Sequence, residues 1–338
     1  MIREWRSVTA SVLTGFLGSG KTSLLKRLLA QPDLRGTAVL INEFGEIGLD
    51  HLLVEVVDQE VVLLKSGCVC CSIRGDLRDG LDRLHARMER GEVQPFERVV
   101  IETTGLADPV PIVAGFSTDP SLRWHFKLGA VVTVVDAVNG AANLDRFEEV
   151  ARQVALADRL VVSKVDLDPA GAASLARRLA DLNPTATLHL SAESDPAPSW
   201  LLSGDANRTG TVELGPHAAG AAHAHHAGGM VTFCLTADIP LDWAAFGLWL
   251  SLLLHRHGAN VLRVKGLLQV RGIDRPVVVQ SVQHLVHRPL HLEQWPEGRP
   301  RTRLVVIGRR LDRSAIERSF HAFCKVQRPA HETALGIG

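Results

Sequence analysis

The stretch Gly15-Phe16-Leu17-Gly18-Ser19-Gly20-Lys21-Thr22 constrains this chain more than any other. It matches G-x-x-x-x-G-K-[ST], the phosphate-binding P-loop. Ser7–Thr14 ahead of it carries Val8, Val12 and Leu13, the apolar content of a short buried strand. Ser23–Ala30 behind it carries Leu24, Leu25, Leu28 and Leu29 at helical spacing. The motif therefore has the strand–loop–helix setting its chemistry needs. Gly15, Gly18 and Gly20 let the backbone wrap closely around phosphate oxygens, and N–H groups from Ser19 to Ser23 converge at a helix N-terminus. Lys21 would reach the β- and γ-phosphates, and Thr22 would place a hydroxyl on Mg²⁺. A Gly-rich turn without a ligand is the plainer reading; the Lys-Thr pair and two correct flanks weigh against it.

A chain of 338 residues has room for two domains. Its 46% hydrophobic and 22% charged content is that of an ordinary soluble globular protein. Lys+Arg and Asp+Glu both number 37, which argues against nucleic-acid binding driven by global charge. Met1–Arg6 is polar and shows no leader, and the apolar run Leu248–Leu254 is too short to span a bilayer. A cytoplasmic protein with no membrane partner is expected. Three of the five cysteines fall within Cys68–Cys71, which is no disulfide framework and points to metal or redox chemistry.

Strand and helix patterns alternate through about the first 190 residues. Strands are expected at Thr37–Ile41, Arg98–Glu102, Ala130–Val135, Arg159–Val162 and Thr187–Leu190, and helices at Ile73–Arg90, Pro109–Phe116, Phe147–Ala157 and Ala170–Leu182. Such alternation predicts an α/β fold with a mostly parallel sheet, and ligands at the carboxyl ends of its strands. Ser194–Gly229 is rich in Gly, Ala, Pro and His and reads as a linker, either a plain spacer or a weak metal-collecting tract. From Met230, strands at Val231–Thr236, Val261–Val270, Pro276–Val282 and Thr302–Ile307, with helices at Leu241–His255 and Arg313–Phe323, predict a smaller α+β domain. The expected division is 1–195, a linker 196–229, a second domain 230–326 and a tail 327–338. Seven Arg between Arg299 and Arg318 read as a solvated face.

Three further signals lie at predicted strand ends or beside them. Ser163-Lys164-Val165-Asp166 follows the P-loop by about 140 residues. It parallels Asn/Thr-Lys-x-Asp, in which the Asp accepts hydrogen bonds from guanine N1–H and the 2-amino group, donors that adenine lacks. Lys164 would lie along the base. Ser163, where Asn is commonest, removes amide contacts to the base and to the P-loop. Asp168 is a competing helix cap. Glu102-Thr103-Thr104-Gly105 would set Glu102 near Mg²⁺ and let the Gly105 N–H sense a γ-phosphate, with Asp136 a weaker candidate for the acidic role. Gly67-Cys68-Val69-Cys70-Cys71 offers three soft thiolates for Zn²⁺, Co²⁺ or Cu(I), with a fourth ligand from Glu43, Glu46, a histidine or solvent. A redox dithiol competes, although adjacent Cys70 and Cys71 are poorly placed for a relaxed disulfide.

Together, Gly15–Thr22, Asn42–Gly45, Cys68–Cys71, Glu102–Gly105, Ser163–Asp166, Arg263-Val264-Lys265-Gly266 and Arg303–Gly308 resemble the CobW-like GTPases. These are metal-trafficking P-loop proteins related to the urease and hydrogenase accessory GTPases. The resemblance spans roughly residues 8 to 323. It implies a P-loop NTPase domain of the SIMIBI type followed by a CobW C-terminal domain. It implies GTP hydrolysis with Mg²⁺, with Lys21 and Glu102 at the chemistry, Lys21 and Thr22 on phosphate and Mg²⁺, and Asp166 on guanine. It also implies Zn²⁺ or Co²⁺ held by Cys68, Cys70 and Cys71 and delivered to a client metalloprotein or cobalamin-pathway enzyme, with a homodimer left open. No arginine finger or water-orienting Gln can be assigned, so slow intrinsic turnover stimulated by metal or client is expected. A P-loop small-molecule kinase with a structural zinc knot, and a non-catalytic metal or redox sensor, are the alternatives.

Overall fold

A computed structural model describes residues 7–34, 36–42, 73–191, 195–202, 224–226, 229–296 and 299–324. Val54–Leu64, Asn42–Asp50 beyond its first residue, the Cys68–Cys71 loop and the tail lie outside them.

The first half of the chain builds a six-stranded sheet, all its described pairings parallel. In chain order its elements are β1 (Val8–Thr14), α1 (Lys21–Leu29), β2 (Thr37–Asn42), α2 (Ile73–Glu89), β3 (Arg98–Thr103), α3 (Val110–Thr118), α4 (Pro120–His125), β4 (Phe126–Asp136), α5 (Gly140–Arg146), α6 (Glu148–Leu156), β5 (Arg159–Ser163), α7 (Pro169–Leu182), β6 (Thr187–Leu190) and α8 (Pro198–Leu202). The strand order is β2-β3-β1-β4-β5-β6. The central strands are apolar on both faces because helices cover both, so β5 and the second half of β4 are buried throughout. β1 lies between β3 and β4, which brings the P-loop beside the ends of both.

The second half forms an antiparallel sheet from β7 (Ala224–His226), β8 (Met230–Ala237), β9 (Val261–Val270), β10 (Ile273–Val282), β11 (Leu285–Val286), β12 (Leu290–His291) and β13 (Thr302–Arg309). Two helices, α9 (Trp243–His257) and α10 (Arg313–Cys324), cover one face. There Phe233, Trp249, Val264, Val306 and Phe320 share a core. The opposite face turns to the first domain, where Met230, Leu262, Val305 and Ile307 pack with residues of α6 and α7. The period-2 alternation along β13, Leu304 and Val306 one way and Val305 and Ile307 the other, is what lets one strand serve two cores.

The fold class is the expected one: a P-loop NTPase core and a smaller antiparallel C-terminal domain. Parts of the stretch between the domains pack onto each of them. Leu201 and Leu202 of α8 sit in the core of the first domain, and Leu202 O accepts from Ser11 Oγ at 3.0 Å, so that domain extends past 195. The C-terminal sheet in turn reaches back to Ala224, where the end of the His-containing tract pairs with β8. β4 begins at Phe126, four residues earlier than its apolar run suggests, because the edge-like start Phe126–Gly129 pairs with β1.

Arg263 and Lys265 interrupt apolar β9 and point at the first domain. Arg263 donates to Leu156 O and pairs with Asp158, and Lys265 Nζ lies 3.8 Å from the same carboxylate. Burial alone would raise the Asp158 carboxyl, yet Arg263, Lys265 and the Val131 N–H outweigh it and hold the group down to about 2. Lys265 is pushed down to about 8, chiefly by burial and then by neighbouring Arg263. Among the basic residues read as a solvated face, Arg309 instead crosses to Glu148 on α6, while Arg301 pairs with Asp238.

Candidate nucleotide-binding site

β1 delivers Gly15 at φ +142°, where a Cβ would sit 2.3 Å from Val134 O. Gly20, at φ 91°, is the N-cap of α1, which has no side-chain cap and no acid in its first turn. The first-turn N–H groups and the positive end of the helix dipole therefore face into the loop. Ser19 Oγ is buried and makes no hydrogen bond among the described residues. Lys21 is 8% exposed, and its ammonium donates to Gly15 O at 2.8 Å and Phe16 O at 3.1 Å. It thus rests on the carbonyls of its own loop.

Thr22 Oγ1 donates to Glu102 Oε1 at 2.6 Å, and the Glu102 side chain is buried at the end of β3. A hydroxyl and a carboxylate at this distance are hard oxygen donors that suit Mg²⁺. Beside them Thr103 Oγ1 and Thr14 Oγ1 are 2.8 Å apart, tying the ends of β3 and β1. The loop after β3 then lies directly on the P-loop: a Cβ on Gly105 would come within 2.5 Å of Leu17 N and 2.8 Å of Leu17 Cα. Backbone on backbone cannot yield as a flexible side chain does. Gly105→Ala is expected to part the two loops and lower nucleotide turnover by on the order of 100-fold. Steady-state kinetics beside an unchanged far-UV circular dichroism spectrum is the measurement.

On the base side, Ser163 Oγ donates to Ser19 O at 2.6 Å. The expected loss of contact with the P-loop is thus corrected: a hydroxyl does what the commoner amide does. Lys164 has φ 56°, and its Nζ lies 2.5 Å from Asp136 Oδ2. Asp136 is engaged by the loops around it. It accepts from the N–H groups of Val138 at 2.7 Å and Asn139 at 3.0 Å and so fastens the end of β4 to the Lys164 loop. Burial opposes its ionisation, but the Lys164 and Asn139 hydrogen bonds prevail and lower its pKa. Asp168 caps α7 through Gly171 N at 2.9 Å, whereas Asp166 is exposed beside it. Asp168, and not Asp166, is therefore the cap of this turn.

The thiolate candidates Cys68, Cys70 and Cys71, with Glu43 and Glu46, lie outside the described residues. Among the described residues no group of three His, Cys, Asp or Glu side chains could hold a metal ion, and no helix is long and apolar enough to cross a membrane. What motif reading misses is Gln153, fully buried on α6 and reaching the loop after β3. Its signal was a lone amide on the apolar stripe Val150–Val154.

P-loop, strand-end carboxylate and base-side loop converge at the carboxyl edge of a parallel sheet, which defines a P-loop nucleotide-binding protein carrying an antiparallel second domain. The family model for the CobW/HypB/UreG nucleotide-binding domain matches residues 9–189, and that for the cobalamin synthesis protein cobW C-terminal domain matches residues 230–324. The chain belongs to the CobW/HypB/UreG family. Among its relatives, zinc chaperone YjiA of Escherichia coli is 31% identical over 93% of this chain and 98% of its own length. Zinc chaperone CobW of Pseudomonas aeruginosa is 31% identical, over 90% of this chain and 88% of its own length. The crystal structure of Zn(II)-bound YjiA GTPase is 29% identical, with a TM-score of 0.72 over 94% of this chain and 99% of that one.

Proposed function

We propose that this chain is a GTP-dependent metallochaperone that binds Zn²⁺, or Co²⁺, through Cys68, Cys70 and Cys71 and couples the nucleotide cycle to metal transfer to a client protein. The chain is a GTPase, in keeping with its family and with relatives named as GTPases. The observation that carries the reading is the convergence of Lys21, the Thr22–Glu102 pair and the Ser163–Asp166 loop around one P-loop. Relatives named zinc chaperones, and two named zinc-regulated GTPase metalloprotein activators, support zinc as the cargo.

In this mechanism the Lys21 ammonium leaves the Gly15 and Phe16 carbonyls for the phosphates. Thr22 and Glu102 would hold Mg²⁺, which neutralises phosphate charge. Gly105 presents its N–H toward the terminal phosphate, and Asp166 accepts the guanine donors. The terminal phosphate and the thiolate site are linked, so hydrolysis lowers the affinity of Cys68, Cys70 and Cys71 for the metal and frees it. Turnover is slow until metal or client is present.

Linkage tests the coupling. If GTP changes Zn²⁺ affinity by some factor, Zn²⁺ must change GTP affinity by the same factor. Calorimetry in both orders should return that equality, and Cys68→Ser with Cys70→Ser and Cys71→Ser should abolish both tight Zn²⁺ binding and the reciprocal effect; independence of the two ligands sinks the mechanism. Asp166→Ala is expected to cost at least about 100-fold in the preference for GTP over ATP, because the base then loses a paired acceptor. Competition binding with the two nucleotides reads it.

A further inference from the structure

Helix α6 is held at both ends by the C-terminal domain and holds the nucleotide-side loop with its middle. At its first residue, Glu148 pairs with Arg309 of β13. At its last, Leu156 O accepts from Arg263 of β9. An acid at the N-terminus and a guanidinium at the C-terminus both complement the helix dipole. Between them, Gln153 Nε2 donates to Gly105 O and to Ala107 O, each at 3.1 Å. Two carbonyl partners on one side fix which way round the amide sits. One residue earlier, Arg152 joins Glu148 Oε1 at 2.6 Å to Asp108 Oδ2 at 3.1 Å. Asp108 in turn accepts from Val110 N at 2.9 Å and starts α3. The same loop rests on the P-loop through Gly105, against which no side chain fits.

From this we infer that α6 couples the docking of the C-terminal domain to the loop Gly105–Asp108, with Gln153 as the positioning residue and Arg309–Glu148–Arg152–Asp108 as the connecting chain of charges. The inference rests on the reading above that this loop faces the terminal phosphate. The P-loop does not need α6 to hold a diphosphate, so the loop's position matters for GTP and little for GDP. A partner that shifts the C-terminal domain therefore alters the balance between the two nucleotides without touching either. By reciprocity GTP binding alters how firmly that domain is seated.

The test uses the full chain and the variants Arg309→Met, Glu148→Gln, Asp108→Asn and Gln153→Leu. The Glu148 and Asp108 side chains are 38% and 33% exposed, so their isosteric amides leave a folded protein even where the buried Gln153 variant does not. Arg309→Met and Glu148→Gln are each expected to weaken a non-hydrolysable GTP analogue five- to tenfold by calorimetry, with GDP affinity changed less than twofold. Without nucleotide, the amides of residues 105–108 should exchange hydrogen at least tenfold faster. Arg309→Met combined with Asp108→Asn should do no more than either alone, since each cuts the same chain. Equal loss of GTP and GDP affinity overturns the inference, as does unchanged exchange at 105–108, or effects that multiply in the double variant. Failure of the wild-type chain to bind guanine nucleotide would refute the proposed function instead, and the exchange measurement then decides the coupling alone.

Discussion

Lys21→Ala lowers GTP turnover by on the order of 100-fold or more, while the chain keeps its fold. The reasoning starts from where the ammonium sits. It is almost fully buried and bonded to two carbonyls of its own loop, Gly15 O and Phe16 O, so the folded protein already carries the cost of desolvating it. A phosphate arriving at the N-terminus of α1 meets a cation that is in place and needs only to exchange weak acceptors for strong ones. The positive charge has no second source nearby in the P-loop itself, because α1 places Lys26 and Arg27 in its last turn, at the far end. Truncation leaves Gly15 O without a donor, which costs about 1–2 kcal/mol of stability. The loss in transition-state stabilisation is larger because charge develops where the ammonium points. Steady-state GTP turnover and thermal unfolding, measured on the same preparation, separate the two. A variant that keeps half the wild-type rate would remove Lys21 from the chemistry.

Asp158→Ala has the largest expected effect on stability, about 3–5 kcal/mol, because it leaves Arg263 and Lys265 buried against the first domain without their carboxylate. That loss lowers the unfolding midpoint by on the order of 10 °C. The pH dependence has a defined sign. Asp158 is held down to about 2, below its unfolded value, so its contribution is fully present above about pH 4 and is lost as pH falls through 2. Lys265 works the other way. Its folded value of about 8 lies below the usual 10.5, so below pH 8 the folded state bears a charge it holds less well than the unfolded chain does. Between pH 8 and 10.5 the unfolded chain binds the extra proton, and stability from this group rises with pH. Denaturant unfolding across that range should show the rise in wild type and its absence in Lys265→Met. A flat wild-type profile there would contradict a buried, displaced Lys265.

The candidate site was legible in the sequence wherever its chemistry is local. Gly15, Gly20, Lys21 and Thr22 fall within eight residues of one loop, and backbone torsion alone demands the glycines. Glu102 and Ser163 could be placed because apolar runs mark β3 and β5, and such strands end where polar residues begin. The contact of Asp136 with Lys164 was not legible, since Lys164 is 28 residues away and arrives only through the pairing of β4 with β5. The same holds for the contact of the Ser163 hydroxyl with Ser19 O, across 144 residues. Structure within the stretch between the domains was hidden for a different reason. Composition marks Gly, Ala and His as unstructured, but Trp200-Leu201-Leu202 carries enough apolar surface to dock, and Ala224–His226 gains strand geometry from β8.

The sequence by itself determined a P-loop, the alternation that makes a parallel sheet, and a second domain of strands closed by helices. These follow from torsion, periodicity and apolar spacing, which act over a few residues. Tertiary structure alone decided that β9 and β13 lie against α6, that Arg263 and Arg309 grip its two ends, and that Gln153 between them reaches the loop resting on the P-loop. Charged and amide side chains carry no periodic signal of their partners. Their placement becomes definite only when packing removes them from water and leaves one carboxylate or carbonyl within reach.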